Sequence, residues 1–110
     1  IDITYMALIN LCDLLLIELY STNNPSLLDK IRSYIAQMLD LAEKNRSYFL
    51  LGESYLLQAR LSLVTLDKKE AMRFLTQGQQ IAERWDLHQL AKKISNEHED
   101  LDRKISVLEK

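Results

Sequence analysis

The sequence predicts an all-α protein of about five antiparallel helices, arranged as two stacked helix hairpins followed by a C-terminal capping helix. Three observations support this fold class. The 110 residues include only two glycines and one proline, which leaves little material for the turns of a sheet. Apolar residues recur at spacings of three and four along most of the chain, which is the period of an α-helix. Short polar stretches separate these segments, and short joints favour antiparallel neighbours.

The first helix is predicted from about Asp2 to Ser21. Apolar residues cover nearly its whole circumference, and a helix of that kind is normally buried. The thin polar strip consists of Thr4, Asn10, Asp13 and Glu18. Because the first helix of a small domain has few neighbours, we expect further protein upstream in a longer parent chain, or a second chain packed against it.

The second helix is predicted to begin after the turn-rich stretch 21–25. Asn24 can cap it, and Pro25 suits its first position because the missing amide hydrogen costs nothing there. The helix should run to about Lys44. Its expected buried face consists of Leu28, Ile31, Ile35, Met38 and Ala42.

The third and fourth helices are predicted to form the central hairpin. Ser47 is expected to cap the third helix, which has apolar residues on most sides as far as Leu66. Asp67, with Glu70 three residues later, is a capping-box pattern that marks the start of the fourth helix. Trp85 at its end is expected to pack against the start of the fifth helix. The apolar face of the fourth helix consists of Ala71, Leu75, Gly78, Ala82 and Trp85.

The fifth helix is predicted to follow Asp86, which forms a second capping box with Gln89. It carries one narrow apolar seam with a heptad pattern. The seam consists of Leu87, Ala91, Ile94, His98, Leu101, Ile105 and Leu108. A histidine in such a seam can specify the register of two paired helices. The alternative, which we favour, is that the seam packs on the fourth helix and that His98 lies at the solvent-exposed edge of this contact.

The chain contains an internal repeat. Residues 41–44 (Leu-Ala-Glu-Lys) are echoed forty positions later by residues 81–84 (Ile-Ala-Glu-Arg), and the same offset aligns Ile35 with Leu75 and Met38 with Gly78. A hairpin with an exposed apolar face needs a stacked neighbour. We therefore divide the single domain into repeat 1 (residues 1–45), repeat 2 (46–86) and a C-terminal capping or coiled-coil-like helix (87–110).

Two sets of residues in repeat 2 follow a known pattern. Tyr48, Leu51, Gly52 and Tyr55 have the spacing with which the tetratricopeptide repeat begins, with Tyr in place of Trp. We prefer to align the family's pattern one heptad later in this sequence. In that alignment Ala59 and Ala71 match the family's pair of small residues, whose separation they share. Gln58, Ser62 and Glu83 depart from the family pattern in this register. The chain thus resembles a degenerate, long-helix variant of the tetratricopeptide repeat, and other two-helix solenoids are the alternative.

The resemblance implies a stack whose first helices line a concave groove for a peptide or a segment of a partner protein. Carried onto repeat 2, the groove positions are Glu53, Leu56, Arg60, Leu63 and Val64. In repeat 1 they lie near Ile9, Cys12, Leu16 and Leu19. For Arg60 the alternative, which we favour, is a surface or inter-helix salt bridge with Glu53, because ion pairs on helices are common.

The predicted function is therefore a non-catalytic protein–protein interaction scaffold. The alternative is an oligomerisation domain, such as a homodimer, that pairs through the apolar first helix or the heptad-patterned last helix. The candidate residues for that interface are Leu8, Leu15, Ile94, His98, Leu101, Ile105 and Leu108.

Composition and motifs argue against other classes of function. A net charge of −2 provides no basic surface for nucleic acid. Gly52 and Gly78 are isolated, so there is no phosphate-binding loop, and the two histidines are too far apart to share a metal. Cys12 lies in an apolar run and is expected to be inert. We predict no catalytic residue, cofactor, metal or membrane partner, and the single cysteine without a signal peptide indicates a cytoplasmic location.

Overall fold

The computed structural model describes the backbone of residues 3–109 and the side chains of residues 6–103. It contains five α-helices: α1 (Ile3–Thr22), α2 (Pro25–Asn45), α3 (Tyr48–Val64), α4 (Lys68–Arg84) and α5 (His88–Glu109). The predicted all-α class with about five helices is confirmed, and no strand occurs between residues 3 and 109. None of the helices in this described part is both long enough and apolar enough to cross a membrane.

The helices form two layers in a slab of 44 × 33 × 17 Å. In the first layer α3 lies between α1 and α5 and contacts both. In the second layer α2 packs on α1 and α3, while α4 packs on α3 and α5. Over the described residues the backbones of α2 and α4 do not come close to each other. The central helix α3 therefore joins two otherwise separate halves.

Three of the predicted helix caps are present. The side chain of Asn24 accepts a hydrogen bond from the Ser26 amide at 3.0 Å. Ser47 Oγ accepts one from the Leu50 amide at 3.2 Å, and Asp67 Oδ1 accepts one from the Glu70 amide at 3.1 Å. Each bond satisfies a backbone donor that has no partner within the first helical turn.

Each joint also contains one residue in the left-handed backbone conformation. These residues are Asn23 (φ 53°), Arg46 (φ 50°), Leu66 (φ 62°) and Asp86 (φ 55°). After the last three, the next amide donates to the carbonyl five residues back at 2.8–2.9 Å, as in a Schellman motif. The predicted role of Asp86 as the cap of α5 is wrong, because its left-handed backbone ends α4 and leaves Leu87 between it and α5.

The core consists of two hydrophobic clusters that share α3. The first cluster lies between α1, α2 and the side of α3 that carries Leu50, Leu57 and Leu61. The second lies between α4, α5 and the side of α3 that carries Leu56 and Ala59. The apolar residues on most sides of α3 are thus explained by its two sets of neighbours.

The internal repeat corresponds to equivalent buried faces of α2 and α4. Both sets of aligned positions are buried: Ile31, Ile35, Met38 and Ala42 on α2, and Ala71, Leu75, Gly78 and Ala82 on α4. One predicted member of the α2 face is wrong, since Leu28 is half-buried and Leu27 is buried in its place. Trp85, expected against the start of α5, stacks on Tyr48 at the start of α3, with ring centroids 3.9 Å apart.

One side of α1 is left uncovered by the described residues, as its apolar circumference predicts. Its buried side consists of Ile9, Cys12, Leu15, Leu16 and Leu19. Its exposed apolar residues, 36–64% accessible, are Met6, Leu11, Leu14, Ile17 and Tyr20. A soluble helix rarely exposes this much apolar surface without a partner.

Candidate partner-binding groove

A cavity of about 440 Å³ opens where α1, α3 and α5 meet, on the side of the first layer that faces away from α2 and α4. We call it the first-layer groove. It is lined by Asp13, Leu16, Ile17, Tyr20, Arg60, Leu63 and Glu97. All three first-layer helices contribute side chains, so the groove exists only because the two halves of the fold stack on α3.

Arg60 of α3 holds the polar end of the groove together. Its Nη1 donates to Asp13 Oδ1 of α1 at 2.9 Å. Its Nε and Nη2 both donate to Glu97 Oε1 of α5, at 2.9 and 2.6 Å. The Arg60 side chain is 24% exposed, so these charge-assisted bonds are partly shielded from water. One guanidinium therefore bridges the three helices of the first layer.

The favoured alternative for Arg60 is correct in that Arg60 forms inter-helix salt bridges, but the predicted partner, Glu53, is wrong. The two residues are seven positions apart on α3, which separates them by about 10 Å along the helix axis. Glu53 is instead buried, and both of its carboxylate oxygens lie 3.3 Å from Lys93 Nζ of α5. Each residue thus finds its partner across helices rather than along its own helix.

Among the predicted groove positions in repeat 2, the structure places Arg60 and Leu63 in the first-layer groove and the other three elsewhere. Leu56 is 1% exposed within the second cluster, and Glu53 is buried beside α5. Val64 is half-buried against the first cluster. Leu56 and Glu53 therefore offer almost no surface to a partner.

In repeat 1 only Leu16 of the predicted positions lines the groove. Ile9, Cys12 and Leu19 are buried in the first cluster. The residues that sequence reasoning missed are Asp13, Ile17, Tyr20 and Glu97. The sequence feature that could have indicated this position is Asp13, a polar residue in an otherwise apolar helix. It lies at the boundary between the buried and the exposed side of α1.

The electrostatics of the groove suit binding through neutral and charged hydrogen-bonding groups. Tyr20 is 60% exposed as a whole, but partial burial of its hydroxyl raises the pKa of that group; the Glu97 carboxylate adds to this effect and the Arg60 guanidinium opposes it. A tyrosine hydroxyl is protonated at neutral pH in any case, so Tyr20 can donate a hydrogen bond. Together Asp13, Arg60 and Glu97 carry one net negative charge.

The groove contains no activated thiol. Burial, and secondarily the neighbouring Asp13 carboxylate, raise the pKa of the Cys12 thiol to about 11. Cys12 is also fully buried, with no exposed surface. Among the described side chains, no group of three or more His, Cys, Asp and Glu residues is placed to hold a metal ion.

The candidate oligomerisation residues lie mostly inside the chain. Leu15, Ile94 and Leu101 are buried in the two clusters, and Leu8 packs on the first. His98 is half-buried, but its Nε2 is itself buried and has no hydrogen-bond partner among the described residues. The prediction that His98 reaches the solvent-exposed edge of the seam is therefore wrong for this atom. Ile105 and Leu108 lie outside the described side chains. The described part of the α5 seam therefore packs within the chain and is not a free surface.

Comparison of the chain with protein-family models, with curated proteins and with solved structures finds no match. The resemblance to tetratricopeptide repeats thus rests on the residues of the chain itself.

Proposed function

We propose that this chain is a non-catalytic protein-interaction module, built from tetratricopeptide-like helix hairpins, that binds a segment of a partner protein in the first-layer groove. The observation that carries the proposal is the pairing of two features in one cavity. Ile17 and Tyr20 expose 63% and 60% of their surface at its apolar wall. The Asp13–Arg60–Glu97 network fixes polar groups in the same cavity.

The apolar wall supplies the binding free energy. Covering exposed apolar surface contributes about 25 cal/mol per Å², and covering a whole side chain of this size about 1.5–3 kcal/mol. Ile17, Tyr20 and Leu63 belong to helices that the core holds in place. A partner side chain can therefore dock without first ordering the groove, which keeps the entropic cost of binding low.

The polar end supplies orientation. A guanidinium has five N–H donors, and the contacts of Arg60 with Asp13 and Glu97 use three of them. The remaining two donors, and the second oxygen of each carboxylate, can pair with the amides and carbonyls of a peptide. The groove is therefore suited to a segment that places an apolar side chain on Tyr20 and presents polar backbone groups to Arg60.

A displayed library of random peptides, panned against the chain, tests this function. The peptides that bind the wild-type chain should lose about tenfold or more in affinity with Tyr20→Ser, because part of the apolar wall is removed. When such a peptide is added to the isotope-labelled chain, the largest amide chemical-shift changes should occur at Asp13, Ile17 and Leu63.

The matched control is Tyr48→Ser, since Tyr48 is also partly exposed but stacks on Trp85 at the far end of α3. It lies about 18 Å from Arg60 along the helix axis. Binding that survives Tyr20→Ser, or that Tyr48→Ser weakens equally, would contradict a groove function.

A further inference from the structure

A second groove lies on the opposite face of the molecule, in the gap between α2 and α4. Three adjoining cavities of about 260, 350 and 290 Å³ form it. The first two share Leu39 as a lining residue, and the last two share Tyr48 and Leu51. We call these three cavities the second-layer groove. From Arg32 to Arg46 it extends about 21 Å along α2.

The base of this groove is a stripe of α3 that neither neighbouring helix covers. Tyr48, Leu51, Gln58 and Ser62 line the cavities, and their separations of three, seven and four positions place them on one face of α3. All four keep some exposed surface. Because the backbones of α2 and α4 do not come close to each other, a ligand reaches this stripe without separating packed helices.

The charged residues that line the second-layer groove are mostly basic. They are Arg32, Arg46, Arg84 and Glu43, which together carry two net positive charges. The whole chain carries a net charge of −2, and the charged residues of the first-layer groove carry a net charge of −1. The second-layer groove therefore has the opposite sign from both, and its potential favours an anionic ligand.

The three arginines have few partners of their own. Arg32 reaches Asp29 only at 4.0 Å, and both side chains of this pair are more than half exposed. Arg46 and Arg84 form no salt bridge with any side chain that the structure describes. Arg60, in contrast, is bound by two carboxylates. The guanidinium groups of the second-layer groove are thus available to pair with carboxylates of a ligand.

One end of the second-layer groove also presents an aromatic surface. Trp85 and Tyr48 stack on each other and are 44% and 39% exposed. The Arg84 guanidinium lies 5.7 Å from the centre of the Trp85 ring. All three residues line the same cavity. Tyrosine, tryptophan and arginine are the residue types that most often dominate the binding free energy of protein interfaces.

From the charge, the arginines and the aromatic surface we infer that the second-layer groove binds an acidic segment of a partner protein. Its Asp and Glu residues pair with Arg32, Arg46 and Arg84, and its apolar side chains enter the cavities between them. A peptide of about six residues in extended conformation spans the length of the groove. The apolar cavities favour such a segment over a bare polyanion. The inference does not depend on the function proposed for the first-layer groove.

The test is to pan a displayed library of random peptides against the Tyr20→Ser chain, whose first-layer groove is impaired. The peptides recovered should be rich in Asp and Glu and contain Leu, Phe or Trp. Replacement of all three arginines by glutamine should raise their dissociation constant about tenfold or more, and each replacement alone about two- to threefold. The arginines are exposed, so these changes leave the fold intact. Arg103→Gln is the matched control, since it removes the same charge from an exposed site on α5 and should have no effect.

Tyr48→Ser separates the two grooves. It should weaken the acidic peptides and leave the peptides of the first-layer groove unchanged, whereas Tyr20→Ser should do the reverse. Raising the salt concentration from about 0.05 M to about 0.5 M should weaken the acidic peptides, because salt screens exposed ion pairs.

Three results would overturn the inference. One is a library that yields no binder of the Tyr20→Ser chain, or only binders without an excess of Asp and Glu. Another is a set of acidic binders that tolerates the triple glutamine variant. The third is a single-stranded DNA oligonucleotide that binds through the same arginines more tightly than the selected peptides, which would assign the groove to nucleic acid instead.

Discussion

Gly78 of α4 lies directly against Gly52 of α3. A β-carbon at position 78 would stand 3.6 Å from the Gly52 carbonyl oxygen, 3.5 Å from Tyr55 Cβ and 3.1 Å from Ile94 Cδ1 of α5. These are the only two glycines in the chain. Glycine in a helix costs about 1 kcal/mol relative to alanine. The close approach of α3, α4 and α5 at this point is the physical reason for accepting that cost.

Replacement of Gly78 by leucine should destabilise the fold by about 2–3 kcal/mol, because the new side chain has no space between Tyr55 and Ile94. Chemical denaturation followed by helical circular dichroism measures the change. Thr76→Leu is the control, since Thr76 is exposed on the same helix and the same new side chain should change stability by no more than about 0.5 kcal/mol. Similar losses at both positions would contradict the close packing.

Removal of the Arg60 guanidinium should also destabilise the fold, by about 1–2 kcal/mol for Arg60→Met. The change breaks contacts to two helices and leaves Asp13 and Glu97 facing each other without a cation. Arg73→Met is the matched control, because Arg73 pairs with Glu70 on its own exposed helix surface and ties no helices together. We expect no resolvable change there in the same unfolding experiment. An equal effect of the two substitutions would show that Arg60 does not bridge the first layer.

Leu66 has the least suitable side chain of the four left-handed residues. It is 84% exposed with φ 62°, so its side chain adds strain and little packing. Leu66→Asn should therefore stabilise the chain by about 0.5–1 kcal/mol, because asparagine tolerates this conformation better. Leu66→Ala keeps a β-carbon without the polar group and should give no such gain. A stabilisation by alanine equal to that by asparagine would point to the exposed apolar surface as the cause.

Cys12 should make stability depend on pH in the alkaline range. Burial raises the pKa of its thiol from 9.0 to about 11, so the folded state favours the protonated form. This contribution is fully present below pH 9 and is lost as the pH rises from 9 toward 11. By linkage the loss is of order 2–3 kcal/mol.

The measurement for Cys12 is the difference in unfolding free energy between the wild-type chain and Cys12→Ala as a function of pH. Taking the difference cancels the effect on stability of the tyrosines and lysines, which ionise in the same alkaline pH range. The wild-type curve should fall more steeply above pH 9. Parallel curves would show that the thiol ionises in the fold as readily as in the unfolded chain. Alkylation of Cys12 at neutral pH should likewise be slow until the chain unfolds.

Much of the fold could be predicted because its causes are local. The caps at Asn24, Ser47 and Asp67 act within three residues of their own position, and the buried face of α4 follows from a period of 3.6. Neither depends on which helix comes next. The error at Asp86 arose because one short joint must both end α4 and begin α5, and a capping-box pattern alone does not say which requirement the residue meets.

The groove could be predicted only in part. The sequence alone determined five helices, most of the buried faces of α2 and α4, the repeat and the incompletely covered first helix, because periodicity and capping are properties of adjacent residues. Only the tertiary structure decided that Arg60 binds Asp13 and Glu97, which lie 47 and 37 positions away, and that Glu53 turns to Lys93. Those pairings depend on how far one helix is shifted and rotated against another. That register is set by the packing of Gly52, Gly78 and the clusters around α3, which no single helix contains.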